Sequence, residues 1–406
     1  MVKIAIIGFG VVGSGVYEVL RKNASDVTRN AGTEIDIKYI LDIRDFSSHP
    51  EANLFVNDVN IIADDDEVSI VVETMGGLEP ANTFSRLMLS KGKTVITSNK
   101  ELVATFGDEL FELAKENGCS YYYEASVGGG IPIIRPLKNC LAANRIDSVA
   151  GILNGTTNYI LTRMFCANAS FEDALCEAQE KGYAEKDPTA DVDGFDTGKK
   201  ISILSSMING EKINHADVHT EGIRKITLAD TEFASKFGYS IKLIGSCKRI
   251  GEKFAVVVAP MLVENTSPLA GVDDVFNGIM VSGNMLGDAM FYGRGAGKLP
   301  TASAVCADVI DAAKNVGAPF VAPWKKSSKN VLVDYEDMEY AMYVCFKTAD
   351  KAALMKELAS KFDGELQIAN TDEHVAFITP KDKIKSIKEK LSGINAEIAG
   401  SLLVLE

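Results

Sequence analysis

The stretch Val2-Lys3-Ile4-Ala5-Ile6-Ile7-Gly8-Phe9-Gly10-Val11-Val12-Gly13 decides how the first third of the chain is read. Val2 to Ile7 is apolar and rich in β-branched residues, the composition of a strand buried on both faces. A G-x-G-x-x-G run follows with no spacer, and Val16, Val19 and Leu20 then recur at helical spacing. Between strand and helix, the first glycine permits the tight turn. The second lets backbone approach a pyrophosphate, and the third lets helix and strand pack closely. The helix N-terminus offers phosphates its free N–H groups and the positive end of its dipole. Gly8, Phe9, Gly10, Val11, Val12 and Gly13 are therefore candidate cofactor contacts. The competing reading, a tight turn without ligand, explains this placement less well.

Outward from this motif the alternation continues. Ile35 to Leu41 reads as a strand, as do Ile70 to Glu73, Thr94 to Thr97 and Tyr121 to Glu124, with helices at Pro80 to Ser90 and Leu102 to Glu116. That order is α/β, a doubly wound parallel sheet, and ligands bind beyond the carboxyl ends of its strands. Those ends carry Glu73-Thr74-Met75-Gly76-Gly77, Ser98-Asn99-Lys100 and Glu124-Ala125-Ser126-Val127-Gly128-Gly129-Gly130. Thr74, Gly76, Ser98 and Lys100 join the candidate cofactor contacts, although some of these glycines serve only to end helices and turns. At the end of the second strand, Asp42 suits a ribose 2′-hydroxyl and NAD, whereas Arg44 suits a 2′-phosphate and NADP. A shift of one residue in the strand boundary exchanges their roles.

Composition narrows the partners. The 406 residues are 46% hydrophobic and 24% charged with a net charge of −14, which argues against nucleic acid and anionic membrane as main partners. No apolar run approaches the roughly 20 residues of a membrane span, and the N-terminal apolar run is too short for a signal peptide. Seven scattered Cys without a C-x-x-C pair fit a reducing, cytoplasmic setting and no zinc cage. With four His in the chain, Lys, Asp and Glu are the more natural acid–base groups.

Downstream, Arg145 to Leu153 reads as a strand that ends in Asn154-Gly155-Thr156-Thr157-Asn158 and opens into a helix. Such a turn supplies capping groups and free N–H groups, and by residue type alone a plain helix cap accounts for it. The run from Lys181 to Lys200, KGYAEKDPTADVDGFDTGKK, holds five carboxylates and four lysines between two helices. Asp196 and Lys200, four apart, share one face of the second helix. Taken alone, a mixed-charge run of this kind reads as a solvated loop.

GFGVVG (8–13), SNKELVA (98–104), EASVGGGIPII (124–134), GILNGTTNYIL (151–161), GYAEKDPTADVDGFDTGKK (182–200) and GRGAGKLPTASAVCAD (293–308) occur together and in order. The set resembles the homoserine dehydrogenase family over about Val2 to Asp308. The resemblance implies reversible, NAD(P)H-dependent reduction of L-aspartate 4-semialdehyde to L-homoserine, in threonine and methionine biosynthesis. It implies Lys200, Lys100 and Asp196 as catalytic residues, and Glu185, Asp191 and Asp196 as substrate contacts; for such a substrate, backbone N–H groups of the NGTTN turn, at Gly155 and Thr157, suit the carboxylate. It implies a sodium-type monovalent cation on carbonyl oxygens of Glu124, Val127, Gly129 and Ile131, the oxygen ligation hard cations prefer. Ile43-Arg44-Asp45 resembles the Val-Arg-Asp of NADP-using members, so Arg44 and NADP are favoured, with NAD possible. Gly297 of the glycine-rich run is either a cofactor contact or part of a domain crossover. The resemblance also implies a cytoplasmic homodimer paired through the sheet of the second domain.

The expected organisation is a Rossmann domain over 1–140, completed by about 295–320, then a mixed α/β substrate and dimerisation domain over 141–294. A strand-like stretch from Gly278 to Tyr292 belongs to the latter, and a helix from Ala302 to Val316 returns the chain to the first domain. Beyond a spacer, 330–406 reads β-α-β-β-α-β, the ferredoxin-like order, and resembles an ACT domain. Thr348-Ala349-Asp350-Lys351-Ala352 replaces the usual Asp-x-x-Gly turn there, so a dimerising role stands beside an amino-acid effector role. Two further readings compete. An enzyme of the aspartate-semialdehyde dehydrogenase kind needs a Cys nucleophile in a polar turn with a His partner. A non-catalytic nucleotide sensor gives Asp196, Lys200 and Lys100 no reason to converge.

Overall fold

The computed structural model describes residues 1–318, 321–327, 330–363 and 366–406. The chain divides into two units, one built from 1–145, 202–215 and 293–329, the other from 146–201, 216–292 and 330–406.

In the first unit the motif strand Val2–Ile7 lies parallel between Ile35–Leu41 and Val68–Glu73, with Ile7 opposite both Leu41 and Glu73. The six-stranded order is Phe55–Val56, Ile35–Leu41, Val2–Ile7, Val68–Glu73, Thr94–Thr97, Tyr121–Tyr122. Chain order reverses at Val2–Ile7, which creates the crevice where α/β sheets bind ligands. Ile4, Ile6, Ile70, Val72 and Ile96 are buried against Val16 and Leu20 of helix Val11–Lys22 and against Ala302, Val305 and Val309 of helix Lys298–Lys314. Each such side chain contributes roughly 1.5–3 kcal/mol on burial. Gly15 permits the contact between those two helices, since a Cβ there would meet the Lys298 carbonyl at 2.8 Å. The helix expected from Ala302 therefore starts four residues earlier.

Two expectations are corrected here. The strand read over Tyr121 to Glu124 stops at Tyr122, and Glu124–Ser126 forms a 3-10 turn. The helix read from Leu102 begins at Lys100, because the Asn99 side chain accepts from the N–H groups of Glu101 and Leu102. Helix Ala24–Ala31 was not anticipated; its mixed residues carry only a narrow apolar stripe, Val27 and Ala31.

The second unit centres on a sheet of mixed direction. Its order is Gly287–Arg294, Phe276–Gly283, Ile146–Ile152, Tyr239–Ile250, Lys253–Glu264, Glu397–Val404, Met342–Lys347, His374–Ile378, Gln367–Asn370, with His219–Thr220 beside Lys253–Glu264. The strand-like region from Gly278 to Tyr292 is thus two strands. Tyr239–Ile250 and Lys253–Glu264 form one long antiparallel hairpin, Ile250 facing Lys253 and Tyr239 facing Glu264. The alternation of Tyr340 to Phe346 reads in sequence as one strand; the chain instead splits at Ala341 into Glu339–Tyr340, which pairs with Asp382–Lys383, and Met342–Lys347. Glu365 to Ala369 also reads in sequence as a short strand; Glu365 lies outside the described residues, and the strand observed is Gln367–Asn370. The last four long strands and helices Lys351–Lys361 and Ile384–Ser392 follow a β-α-β-β-α-β order. They do not stand apart from the middle segment: Met261 and Leu262 pair in parallel with Leu403 and Val404. One core runs through both parts, from Ile152, Ile244 and Val257 to Val344, Phe346, Leu358 and Phe377. Among the described residues, no helix is long and apolar enough to cross a membrane.

Candidate active site

The glycine motif has the geometry of a phosphate cradle. Gly8 sits at φ +90°, in the left-handed region that favours glycine, and a Cβ on Gly13 would lie 1.9 Å from the Gly8 carbonyl oxygen. Space around Gly10 is open, so a ligand can approach the backbone there. Gly10 caps helix Val11–Lys22 with no side-chain bond, which leaves the first N–H groups available. Thr74 fastens the floor: its hydroxyl donates to the Gly8 carbonyl at 2.7 Å. Gly76 is likewise open, and Gly297, at φ +128°, caps helix Lys298–Lys314. Val11 is exposed, whereas the Phe9 ring is buried among Tyr17, Phe46, His49 and Phe55. Phe9 is therefore a packing residue whose N–H is occupied, since it donates to Asp42 Oδ2 at 2.8 Å.

That same carboxylate holds Arg44. Arg44 Nε donates to Asp42 Oδ1 at 2.9 Å and Nη2 to Oδ2 at 2.8 Å, and the guanidinium lies 5.2 Å from the centre of the Phe46 ring. The Arg44 side chain, then the backbone N–H groups of Arg44 and Phe9, hold the Asp42 carboxyl well below the usual range despite partial burial. Asp42 and Arg44 act as a pair, where the sequence left a choice between them.

Glu124 is 2% exposed, and its carboxylate is already committed. Oε1 accepts from Ile133 N–H at 2.7 Å and Ile134 N–H at 2.9 Å, and Oε2 from Arg135 N–H at 2.7 Å. Glu124 N–H donates to Asp308 at 2.9 Å, and Asp308 binds Arg135 Nη2 at 2.8 Å. Burial pushes the Asp308 carboxyl up to about 7 against the pull of Arg135. Residues 127–131 between these anchors are turns, outside any helix or strand ladder, with Gly129 at φ +57° against the Gly295 carbonyl. No cluster of three His, Cys, Asp or Glu able to hold a metal occurs among the described residues. Lys100 and Ser98, both half-buried, flank the Asn99 cap at the end of strand Thr94–Thr97.

In the second unit three distant segments meet at Asn154. Its Oδ1 caps helix Gly155–Ala167 through Thr157 N–H at 2.9 Å. Its Nδ2 donates to Asp191 Oδ1 at 2.7 Å and to Asp196 Oδ2 at 2.9 Å. Lys200 Nζ donates to Asp196 Oδ2 at 2.8 Å and to the Leu153 carbonyl at 2.7 Å. Lys200 is 9% exposed, and its third N–H has no partner among the described residues. Two carboxylates and one ammonium leave the group with a formal charge of −1, suited to an ammonium-bearing ligand. Asn154 was missed as a site residue; its place at the end of a strand and head of a helix was the available signal. Thr157 spends its hydroxyl on the Asn154 cap, and Gly155 is packed 2.7 Å (as a Cβ would see it) from the Val275 carbonyl. Glu185 is exposed, and the hydrogen bond seen at that residue is to its backbone carbonyl, from Gln179. Lys181 pairs with Glu177 and Asp193 with Arg224, consistent with solvated roles. Cys119, buried, has its thiol pushed up to about 11, unsuited to a nucleophile at neutral pH.

Two family descriptions match this chain: "Homoserine dehydrogenase, NAD binding domain" over 8–124 and "Homoserine dehydrogenase" over 132–310. A homoserine dehydrogenase of Synechocystis is 44% identical over 76% of this chain and 73% of its own length. One of Bacillus subtilis is 39% identical, over 81% and 78%. The crystal structure of a homoserine dehydrogenase from Thiobacillus denitrificans superposes with a TM-score of 0.91 at 33% identity, covering 100% of this chain and 98% of that one. A hyperthermophilic archaeal homoserine dehydrogenase in complex with NADPH gives 0.65 at 29% identity, covering 77% and 97%.

Proposed function

This chain belongs to the homoserine dehydrogenase family, and from that premise we propose which of its residues carry out the reaction. The activity is the nicotinamide-dependent reduction of L-aspartate 4-semialdehyde to L-homoserine, an oxidoreductase step of amino-acid biosynthesis. When bound, the nicotinamide supplies the hydride. Lys200 holds the negative charge that develops on the aldehyde oxygen and delivers the proton that completes the alcohol. The observation that carries this role is the Lys200 ammonium fixed on Asp196 and the Leu153 carbonyl with one N–H left to offer. Asp196 keeps the lysine placed. Asp191, with Asp196, attracts the substrate ammonium, and Glu185 contributes from the exposed segment. The backbone N–H groups at Gly155 and Thr157 favour the substrate carboxylate through the helix N-terminus. Lys100 serves at the cofactor side.

Cofactor preference is NADP: the 2′-phosphate would replace Asp42 as partner of Arg44, while a ribose hydroxyl would find the Asp42 oxygens already taken. Gly8, Gly10, Val11, Val12, Gly13, Thr74, Gly76, Ser98 and Gly297 line the dinucleotide, and Phe9 supports them by packing. A monovalent cation such as sodium would be held by backbone carbonyls of Glu124, Val127, Gly129 and Ile131. The protein works as a cytoplasmic homodimer without nucleic-acid or membrane partners, with an ACT-like segment over 330–406.

The decisive assay follows NADPH absorbance with aspartate 4-semialdehyde. Lys200→Ala should lower kcat by about 10²- to 10⁴-fold while NADPH binding persists. Undiminished turnover in the variant would remove Lys200 from the mechanism.

A further inference from the structure

Glu73 ends the strand Val68–Glu73 beside the cofactor crevice, is 1% exposed, and has no assigned task. Among the described residues it forms no ion pair. Two donors converge on it: Met75 N–H on Oε1 at 2.6 Å and the Thr97 hydroxyl on Oε2 at 2.5 Å. Thr97 passes the connection on. Its oxygen accepts from Asn99 N–H at 2.9 Å, and Asn99 caps helix Lys100–Glu116 and donates to the Gly77 carbonyl at 2.6 Å. One carboxylate thus ties together the turn bearing Thr74 to Gly77 and the turn bearing Ser98 to Lys100.

We propose that Glu73 is a positioning residue for the cofactor, its ionised carboxylate holding those two turns in the geometry that binds the dinucleotide. Both partners are donors, so the charged form, which accepts only, matches them, and a protonated carboxyl would bring a third donor. Burial opposes that form and pushes the carboxyl up to about 7; the Thr97 and Met75 bonds pull it back. From the strand on the far side of Thr94–Thr97, Tyr121 brings a fully buried hydroxyl that makes no hydrogen bond among the described residues. Burial first, and then the Glu73 charge, hold that hydroxyl well above its ordinary value. Strand Val2–Ile7 presents Ile7 in register, and the helix that Asn99 caps opens with Lys100 and Glu101. The carboxylate is therefore poised to lose its charge, and with it the two loops, near neutral pH.

The proposal rests on the dinucleotide reading of this crevice, and the test separates the two. NADPH and NADH are each titrated by nucleotide fluorescence between pH 6 and 8.5, and melting is followed in parallel. NADH lacks the 2′-phosphate, so that group's own titration drops out. The wild type should bind both more weakly as pH falls. Glu73→Gln should bind both roughly tenfold more weakly at pH 8, lose the pH dependence, and melt no lower than the wild type. Thr97→Val should weaken binding but keep the pH dependence. Wild-type affinity and pH dependence in Glu73→Gln would overturn the proposal, as would weaker binding that only accompanies a lower melting temperature. Failure of the wild type to bind either nucleotide would instead overturn the dinucleotide reading beneath it.

Discussion

Asn154 is the residue on which the substrate cluster turns. Asn154→Ala removes a helix cap, at about 0.5–2 kcal/mol of stability, and takes one hydrogen bond each from Asp191 and Asp196. Steady-state kinetics should show KM for the aldehyde rising more than kcat falls, and urea unfolding should show the modest loss. Arg44 is the matching test on the cofactor side. Arg44→Ser should lower kcat/KM with NADPH roughly tenfold to a hundredfold and leave NADH nearly unchanged; equal losses with both would deny Arg44 the phosphate. The motifs pointed directly to Gly8, Gly13, Asp196 and Lys200, because their spacing is local. The bridging by Asn154 was not legible, since its partners lie 37 and 42 residues away. Nor was the burial of Phe9, which depends on aromatic residues from other elements.

At the level of the element, Glu124 shows what period and propensity cannot convey. The Tyr121–Tyr122 strand ends early because the next carboxylate turns inward to receive three N–H groups. Glu124→Ala leaves those donors buried and unpaired, and should cost about 3–5 kcal/mol, measured as a reduced urea midpoint. If the loop from 127 to 131 holds a cation, sodium should raise the wild-type melting temperature and lose that effect in the variant. Strongly patterned elements are legible to within a residue or so: the alternating apolar runs Ser240 to Ile250 and Phe254 to Val263 mark the long hairpin Tyr239–Ile250 and Lys253–Glu264. Helix Leu228–Phe237, set by a Thr227–Asp230 capping box, was overlooked because its apolar periodicity is weak.

For the molecule as a whole, buried and exposed carboxyls pull stability in opposite directions with pH. Glu73 has a folded value above 4.5, at about 7, so the stability tied to its protonated form is full below about 4.5 and lost as pH rises through 7. Glu18 and Glu177, lowered to about 2 by their lysine partners, contribute above about 4.5 and lose that contribution as pH falls toward 2. Melting temperature should therefore peak near pH 5, and Glu73→Gln should flatten its alkaline side, recovering up to about 3 kcal/mol at pH 8. Sedimentation should give twice the chain mass if the proposed dimer holds. The parallel first sheet could be foreseen from its strand–helix alternation. The continuity of the second sheet could not, because Met261 and Leu403 are joined by register and no sequence signal marks their pairing.

That pairing has a consequence for how the chain is made. Lys253–Glu264 is buried at every position between its ends, yet its neighbour Glu397–Val404 is encoded far downstream. At ribosomal rates of about 5–20 residues per second, the 142 residues from Met261 to Leu403 take roughly 7 to 30 seconds to emerge. For that interval the nascent hairpin carries an apolar, unsatisfied margin, the kind of surface that recruits other chains. Nascent chains stalled before residue 397 should aggregate, and a charge placed at Met261 should reduce that aggregation at the expense of the finished fold.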